Sequence, residues 1–279
     1  MQTFKITQMK KLIYSLLLVM TVVTVVQCQS MAKGKTAPSS KTFVLVHGAW
    51  QAPYVWQTVK SELKKKGCSV IVVELPGHGA DTTFPAKISM DAYRDKVISA
   101  ISPVKGKVIL VGHSMAGMVI SAVAEAIPDR IEKLVYLGAY VPANGQSLLA
   151  LASVDKESML GPNLIPSADK LTLDVKKENL INIFCADGSD NIKSELLANY
   201  RAEPAIPFTN AVTLTGDNFG KADKYYIYTL QDHAIGGSLQ KQMVAAAGIS
   251  KTYSLDSSHC PFLSMPSQVT AVLLKIAAN

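Results

Sequence analysis

Short, wholly apolar runs alternate with longer amphipathic ones along most of the chain. Phe43-Val44-Leu45-Val46 is apolar throughout and predicts a buried strand. Residues 54–66 read as a helix ending in Lys64-Lys65-Lys66-Gly67, a cationic last turn with a glycine stop. Cys68 to Glu74 predicts a second strand and Ile88 to Ser102 a helix. Val108 to Val111 predicts a central strand, Met118 to Glu125 a helix, and Ile131 to Gly138 a fourth strand after the Pro128-Asp129 break. From about residue 142 to 215 the pattern changes. Leu148–Leu160 and Asn191–Tyr200 read as helices, long buried strands are lacking, and Pro162, Pro166, Pro204 and Pro207 punctuate the segment. Strand patterning returns at Tyr225–Tyr228 and Lys251–Leu255, with helical Leu239–Ala247 between them and a last helix over Pro266–Ala278. Alternating strands and helices predict an α/β fold with an open, mostly parallel sheet. The core is expected in 41–141 and 216–279, with 142–215 as a cap insertion. Catalytic groups on such sheets sit on loops at the carboxyl ends of strands.

Residues 1–32 have a different character. Lys10-Lys11 precede Leu12 to Val26, an uncharged and mostly apolar run of 15 residues. That is short for a membrane span and suits a signal peptide, so an exported, periplasmic or extracellular protein is expected. Ser30-Met31-Ala32 resembles a cleavage site. Val25-Val26-Gln27-Cys28 resembles a lipobox, in which Cys28 carries a lipid anchor, although Gln27 is atypical there. An uncleaved anchor is the third reading. Residues 33–40 read as a polar linker.

The chain has 279 residues, is 48% hydrophobic and carries a net charge of +7. Without the first 32 residues there are 25 basic and 21 acidic residues, with no basic cluster, so nucleic acid is not an expected partner. Cys68, Cys185 and Cys260 show no metal spacing, and neither metal nor cofactor is expected. Oligomeric state is left open, a homodimer included.

The chemistry centres on Gly112-His113-Ser114-Met115-Ala116-Gly117, between the central strand and a helix. A serine in so tight a turn, flanked by small residues, has the form of a nucleophile elbow. The usual pattern has glycine where Ala116 stands. A serine hydroxyl needs a base. Of His47, His78, His113, His233 and His259, the last follows the final predicted strand and is the expected base. The others lie beside turns and are expected to hold loops, with His233 a neighbour of the acid. Asp232, on the loop after Tyr228, is the favoured acid. Asp256 is the competitor, three residues before His259, and Asp223 lies at the wrong end of its strand. Two backbone donors are expected to hold an oxyanion, the amides of Met115 and Ala49.

Four blocks stand in order: Phe43–Trp50, Leu75-Pro76-Gly77-His78-Gly79, Val111–Gly117 and Ser258-His259-Cys260-Pro261-Phe262. Together they resemble the α/β-hydrolase branch of plant hydroxynitrile lyases, plant methylesterases and bacterial pyrethroid-hydrolase-like carboxylesterases. Tyr226–Asp232 resembles the branch's acid loop. The resemblance implies a six-stranded sheet with a small helical cap, a Ser114-Asp232-His259 triad, and an oxyanion hole at Ala49 and Met115. It implies a serine carboxylesterase acting on a small or medium apolar ester. The lyases carry a threonine and a lysine where this chain has Gly48 and Cys260, which disfavours cyanohydrin cleavage. A non-catalytic binding protein on the same scaffold is the other alternative. The cap's Leu148, Leu149, Leu160, Phe184 and Phe208 are candidates to line a pocket or to pack within the cap.

Overall fold

Strands that are apolar on both faces need cover on both faces, and the computed structural model shows that arrangement. It describes residues 41–279; the predicted signal peptide, Cys28 and the 33–40 linker lie outside the described residues. In chain order the core begins with β1 (Thr42–Val46), α1 (Gln57–Lys65), β2 (Ser69–Val73), α2 (Met90–Ile101), β3 (Val108–His113), α3 (Ala116–Ala126) and β4 (Ile131–Leu137). The inserted segment then supplies α4 (Leu148–Ala152), β5 (Leu164–Pro166), β6 (Thr172–Val175), α5 (Leu180–Phe184), α6 (Asp190–Ala198), β7 (Glu203–Pro204) and α7 (Ile206–Thr209). The core resumes with β8 (Lys224–Thr229), α8 (Gly237–Ala246), β9 (Lys251–Leu255), α9 (Pro261–Ser264) and α10 (Pro266–Ala278).

The core strands form one six-stranded sheet in the order β2-β1-β3-β4-β8-β9. Every pairing in it is parallel. Every residue of β3 is buried, whereas the edge strands β2 and β9 leave residues exposed, as strands with a neighbour on one side only do. Helix α3 is buried from Ala116 to Ala124, which explains its nearly all-apolar sequence. It packs on α2, while α1 packs on α10. Trp56 and Phe262 meet at 4.7 Å between ring centroids and are almost wholly buried, each worth about 1.5–3 kcal/mol or more in area removed from water.

Two expectations are corrected. Leu148–Leu160 is not one helix. Helix α4 ends at Ala152, because Asp155 Oδ1 accepts from the amides of Glu157 and Ser158 and turns the chain aside. The insertion is also not purely helical: β5, β6 and β7 form a three-stranded sheet, antiparallel throughout. These strands hold two to four residues, and Pro166 and Pro204 lie on the two edge strands, where a missing N–H is tolerated. Strands so short carry no readable alternation.

Candidate active site

Strand β3 ends at His113 and α3 begins at Ala116, so Ser114 and Met115 form the whole connection. The turn drives Ser114 to φ 55°, a left-handed conformation unusual for a residue with a side chain. Backbone bonds hold it there. The Ser114 amide donates to the Leu137 carbonyl at 3.4 Å, and its carbonyl accepts from Gly117 at 3.0 Å and Tyr140 at 3.1 Å. A Cβ on Gly112 would meet the Ala116 carbonyl oxygen at 2.8 Å. A Cβ on Gly117 would run into the Tyr140 backbone, 2.9 Å from its carbonyl carbon. The helix-side glycine is therefore needed at 117, where Tyr140 crosses, and alanine fits at 116.

His259 follows β9 and is buried. Its Nδ1–H donates to Asp232 Oδ2 at 2.8 Å, which leaves Nε2 as the basic nitrogen. The Asp232 carboxylate also accepts from the Thr229 hydroxyl at 2.6 Å and from the amides of Ala234 at 2.8 Å and Ile235 at 2.9 Å. These donors hold it in a fixed orientation. His113 Nε2–H donates to the His259 carbonyl at 2.8 Å, and the two rings lie 4.5 Å apart, so His259 is fastened beside the elbow. Burial first, and then His259, keep His113 well below the usual histidine range, so it stays neutral. Asp256 is exposed and accepts from Gln231 Nε2 at 3.1 Å. Asp223 pairs with Lys251 at 2.6 Å, and His233 Nδ1 bonds the Asn182 carbonyl at 2.9 Å.

The turn after β1 is built around His47. The Leu75 amide donates to His47 Nε2 at 3.3 Å, so Nδ1 carries the proton and donates to the Gly48 carbonyl at 2.9 Å. In a trans peptide the Ala49 N–H points opposite that carbonyl. Burial, and secondarily the neighbouring His78, draw His47 down to about 3, which preserves this neutral tautomer. The next peptide is held from the insertion. The Trp50 amide, at φ 58°, donates to Glu203 Oε2 at 2.8 Å. Glu203 is fully buried and also accepts from His78 Nε2 at 2.7 Å and from the Tyr93 hydroxyl at 3.2 Å. The amides of Ala49 and Met115 have no hydrogen-bond partner in the protein among the described residues.

The alpha/beta hydrolase family model matches residues 43–272. The chain belongs to the alpha/beta hydrolase family. Among curated relatives, putative methylesterase 14, chloroplastic, of Arabidopsis thaliana is 28% identical over 254 residues, 85% of this chain and 72% of that protein. A carbendazim hydrolyzing esterase of Nocardioides sp. (strain SG-4G) is 39% identical over 111 residues, 39% of this chain and 46% of the other. Among solved structures, an extracellular alpha/beta-hydrolase from a Paenibacillus species aligns at TM-score 0.73 and 26% identity over 84% of this chain and 98% of that one. A pyrethroid hydrolase aligns at TM-score 0.77 and 24% identity over 86% and 98%. The branch resembled by the four sequence blocks is thus the one in which the relatives fall.

In this alpha/beta hydrolase a cavity of about 270 Å³ opens above the elbow. Ala49, Ser114 and Met115 form part of its wall, with Leu148, Leu160 and Phe208 from the insertion. Leu149 lines it too, whereas Phe184 packs against Trp50 and His259, with centroids 5.6 and 6.0 Å away. Among the described residues Asp155 is the one charged residue on the wall, and its oxygens accept from the amides of Gly236, Glu157 and Ser158. Cys260 is buried and accepts from Gln51 Nε2 at 2.9 Å; burial foremost holds its thiol well above the usual cysteine range. The thiolate is thereby disfavoured. The sequence left Glu203, Gln51 and Asp187 unmarked. Asp187 Oδ2 accepts from the Ser258 amide at 3.1 Å and the Ser264 hydroxyl at 2.8 Å, on either side of His259. The one available signal for Glu203 was that no other charge stands between Arg201 and Asp217.

Proposed function

We propose that this hydrolase is a serine carboxylesterase with Ser114 as nucleophile, His259 as base and Asp232 as the acid that orients it. Its class, carboxylic ester hydrolase, is that of the relatives. The observation that carries the reading is the 2.8 Å bond from His259 Nδ1 to Asp232, made beside a serine held at φ 55°. In the proposed cycle the Ser114 hydroxyl proton passes to His259 Nε2 as Oγ adds to the acyl carbon. The carbonyl oxygen becomes an oxyanion and accepts from the amides of Ala49 and Met115. Collapse breaks the ester C–O bond, and the alcohol leaves with the proton from His259. Water then repeats the sequence and frees Ser114 with a carboxylic acid as product.

The substrate we propose is an uncharged ester of small or medium size. Supporting this are the largely apolar wall, the cavity volume of about 270 Å³, and a single wall charge, the Asp155 carboxylate, which opposes anionic groups. The relatives named for methyl esters and for carbendazim agree with a compact ester-like substrate. The lyase alternative has Gly48 and Cys260 against it. Export, ending after Ala32 or in lipidation at Cys28, belongs to the same proposal and rests on the Leu12–Val26 run. A panel of p-nitrophenyl esters of rising acyl length, with a carboxylate-bearing ester included, tests the substrate. Turnover should fall beyond medium chains and be lowest for the charged ester; preference for the anionic ester would refute the assignment. Mass analysis of the exported protein distinguishes cleavage from lipidation.

A further inference from the structure

We propose that Glu203, reaching in from the cap, is a positioning residue for the oxyanion hole: paired with His78, its carboxylate holds the Trp50 amide and so fixes the turn that presents the Ala49 amide. This rests on the serine-esterase reading of the site.

A fully buried carboxylate is costly unless it is paired and hydrogen-bonded. Glu203 meets both conditions by bonding elements distant in sequence, Trp50, His78 and Tyr93. His78 Nδ1 lies 3.0 Å from the Pro76 carbonyl and Nε2 lies 2.7 Å from Glu203, so both ring nitrogens face acceptors and the ring is satisfied as an imidazolium. That cation stands 4.9 Å from the His47 ring, which must stay neutral to accept from Leu75. The two histidines thus have opposite charge states for one purpose. His47 sets the plane of the Gly48–Ala49 peptide, and Glu203 sets the plane of the Ala49–Trp50 peptide. Between them the backbone angles of Ala49 have no freedom left.

Trp50 sits at φ 58°, which a residue with a large side chain does not hold without external restraint. Losing the carboxylate orphans its buried amide and releases that restraint. Glu203 is not among the residues lining the cavity, so its removal should act on the transition state and not on substrate binding.

The test compares Glu203→Gln and Glu203→Leu with the unaltered chain, using p-nitrophenyl acetate for kcat and KM. A trifluoromethyl ketone, whose serine adduct places an oxyanion in the hole, provides the second readout. Glutamine keeps the shape but not the charge that balances His78. We expect kcat about tenfold lower for Glu203→Gln and about a hundredfold lower for Glu203→Leu, as for a displaced oxyanion donor. KM should stay within about threefold, and ketone affinity should fall in proportion to kcat. A Glu203→Gln enzyme with kcat and ketone affinity both within about twofold of the parent overturns the proposal. So does a loss confined to KM. If Glu203→Leu does not fold, the glutamine variant alone decides. An inactive parent refutes the serine-esterase reading itself, whereas an active parent with an unaltered glutamine variant refutes only the role of Glu203.

Discussion

A methyl group on Gly48 would lie 2.8 Å from Cβ of Ser114 and 2.8 Å from Nδ1 of His113. The turn after β1 and the elbow therefore touch through a gap that only hydrogen fills. Gly48→Ala should force the two apart, lowering kcat on p-nitrophenyl acetate by at least about tenfold, since a displacement near 1 Å costs about a hundredfold. Overpacking should also cost about 1–3 kcal/mol of stability in urea denaturation. Unchanged kinetics in Gly48→Ala would show that the turn yields freely.

Asp232 and Asp256 were the rival acids, and their surroundings now separate them. Asp232→Asn should reduce kcat by about 10^4-fold, because a neutral amide no longer fixes the tautomer of His259. Asp256→Asn, on an exposed carboxylate bonded to Gln231, should stay within about twofold. Ser114→Ala should match the larger loss and abolish labelling by an organophosphonate. The reverse ranking of the two aspartates would move the acid role to Asp256.

His47 supplies a stability signature. Its value falls from 6.5 in the free side chain to about 3 in the fold, with burial the main cause. A lowered value contributes stability that is complete above about pH 6.5 and drains away as pH falls toward 3. His113 acts in the same direction. His78 acts in the opposite one: burial pulls it down most, but the Glu203 carboxylate and its hydrogen bonds outweigh that, so its contribution is lost as pH rises. The urea midpoint should therefore drop as pH falls from about 6.5 to 4.5, and His47→Gln should flatten that slope. A slope as steep in His47→Gln as in the parent would assign the acid sensitivity to other groups.

Cys260 is buried, protonated and bonded by Gln51, so iodoacetamide should label it only after unfolding. Cys260→Ser should retain ester turnover within about tenfold, about 1.4 kcal/mol. Rapid labelling of the native protein, tracked by peptide mass, would contradict the buried thiol.

The core was legible because its strands hold five to seven residues and the central ones carry unbroken apolar runs, Phe43–Val46 in β1 and Val108–Val111 in β3. Lys251–Leu255 and Pro266–Ala278 lie where the patterning set them. The placement of Ser114, His259 and Asp232 was legible because each follows the carboxyl end of a core strand, which the strand order brings to one rim. The cap was not. Its strands are too short to alternate, and Asp155 diverts a run that looked helical. Glu203 acts across 153 residues to Trp50 and 125 to His78, and no local pattern encodes partners so distant.

The insertion is tied to the core by its acids. Asp155 and Glu157 accept from the amides of Gly236 and Ser238 at the start of α8, Asp187 clasps Ser258 and Ser264, and Glu203 holds Trp50 and His78. These anchors end beside the loop that carries Asp232, beside His259 and at the turn after β1. The cap is consequently not an exchangeable module. A segment transplanted from a relative would bring its own pocket wall, yet would leave all three of these segments without their fastenings unless these carboxylates travelled with it. New substrates are more accessible to this scaffold by replacing single side chains on the wall, such as Leu148 or Phe208, than by trading the whole covering.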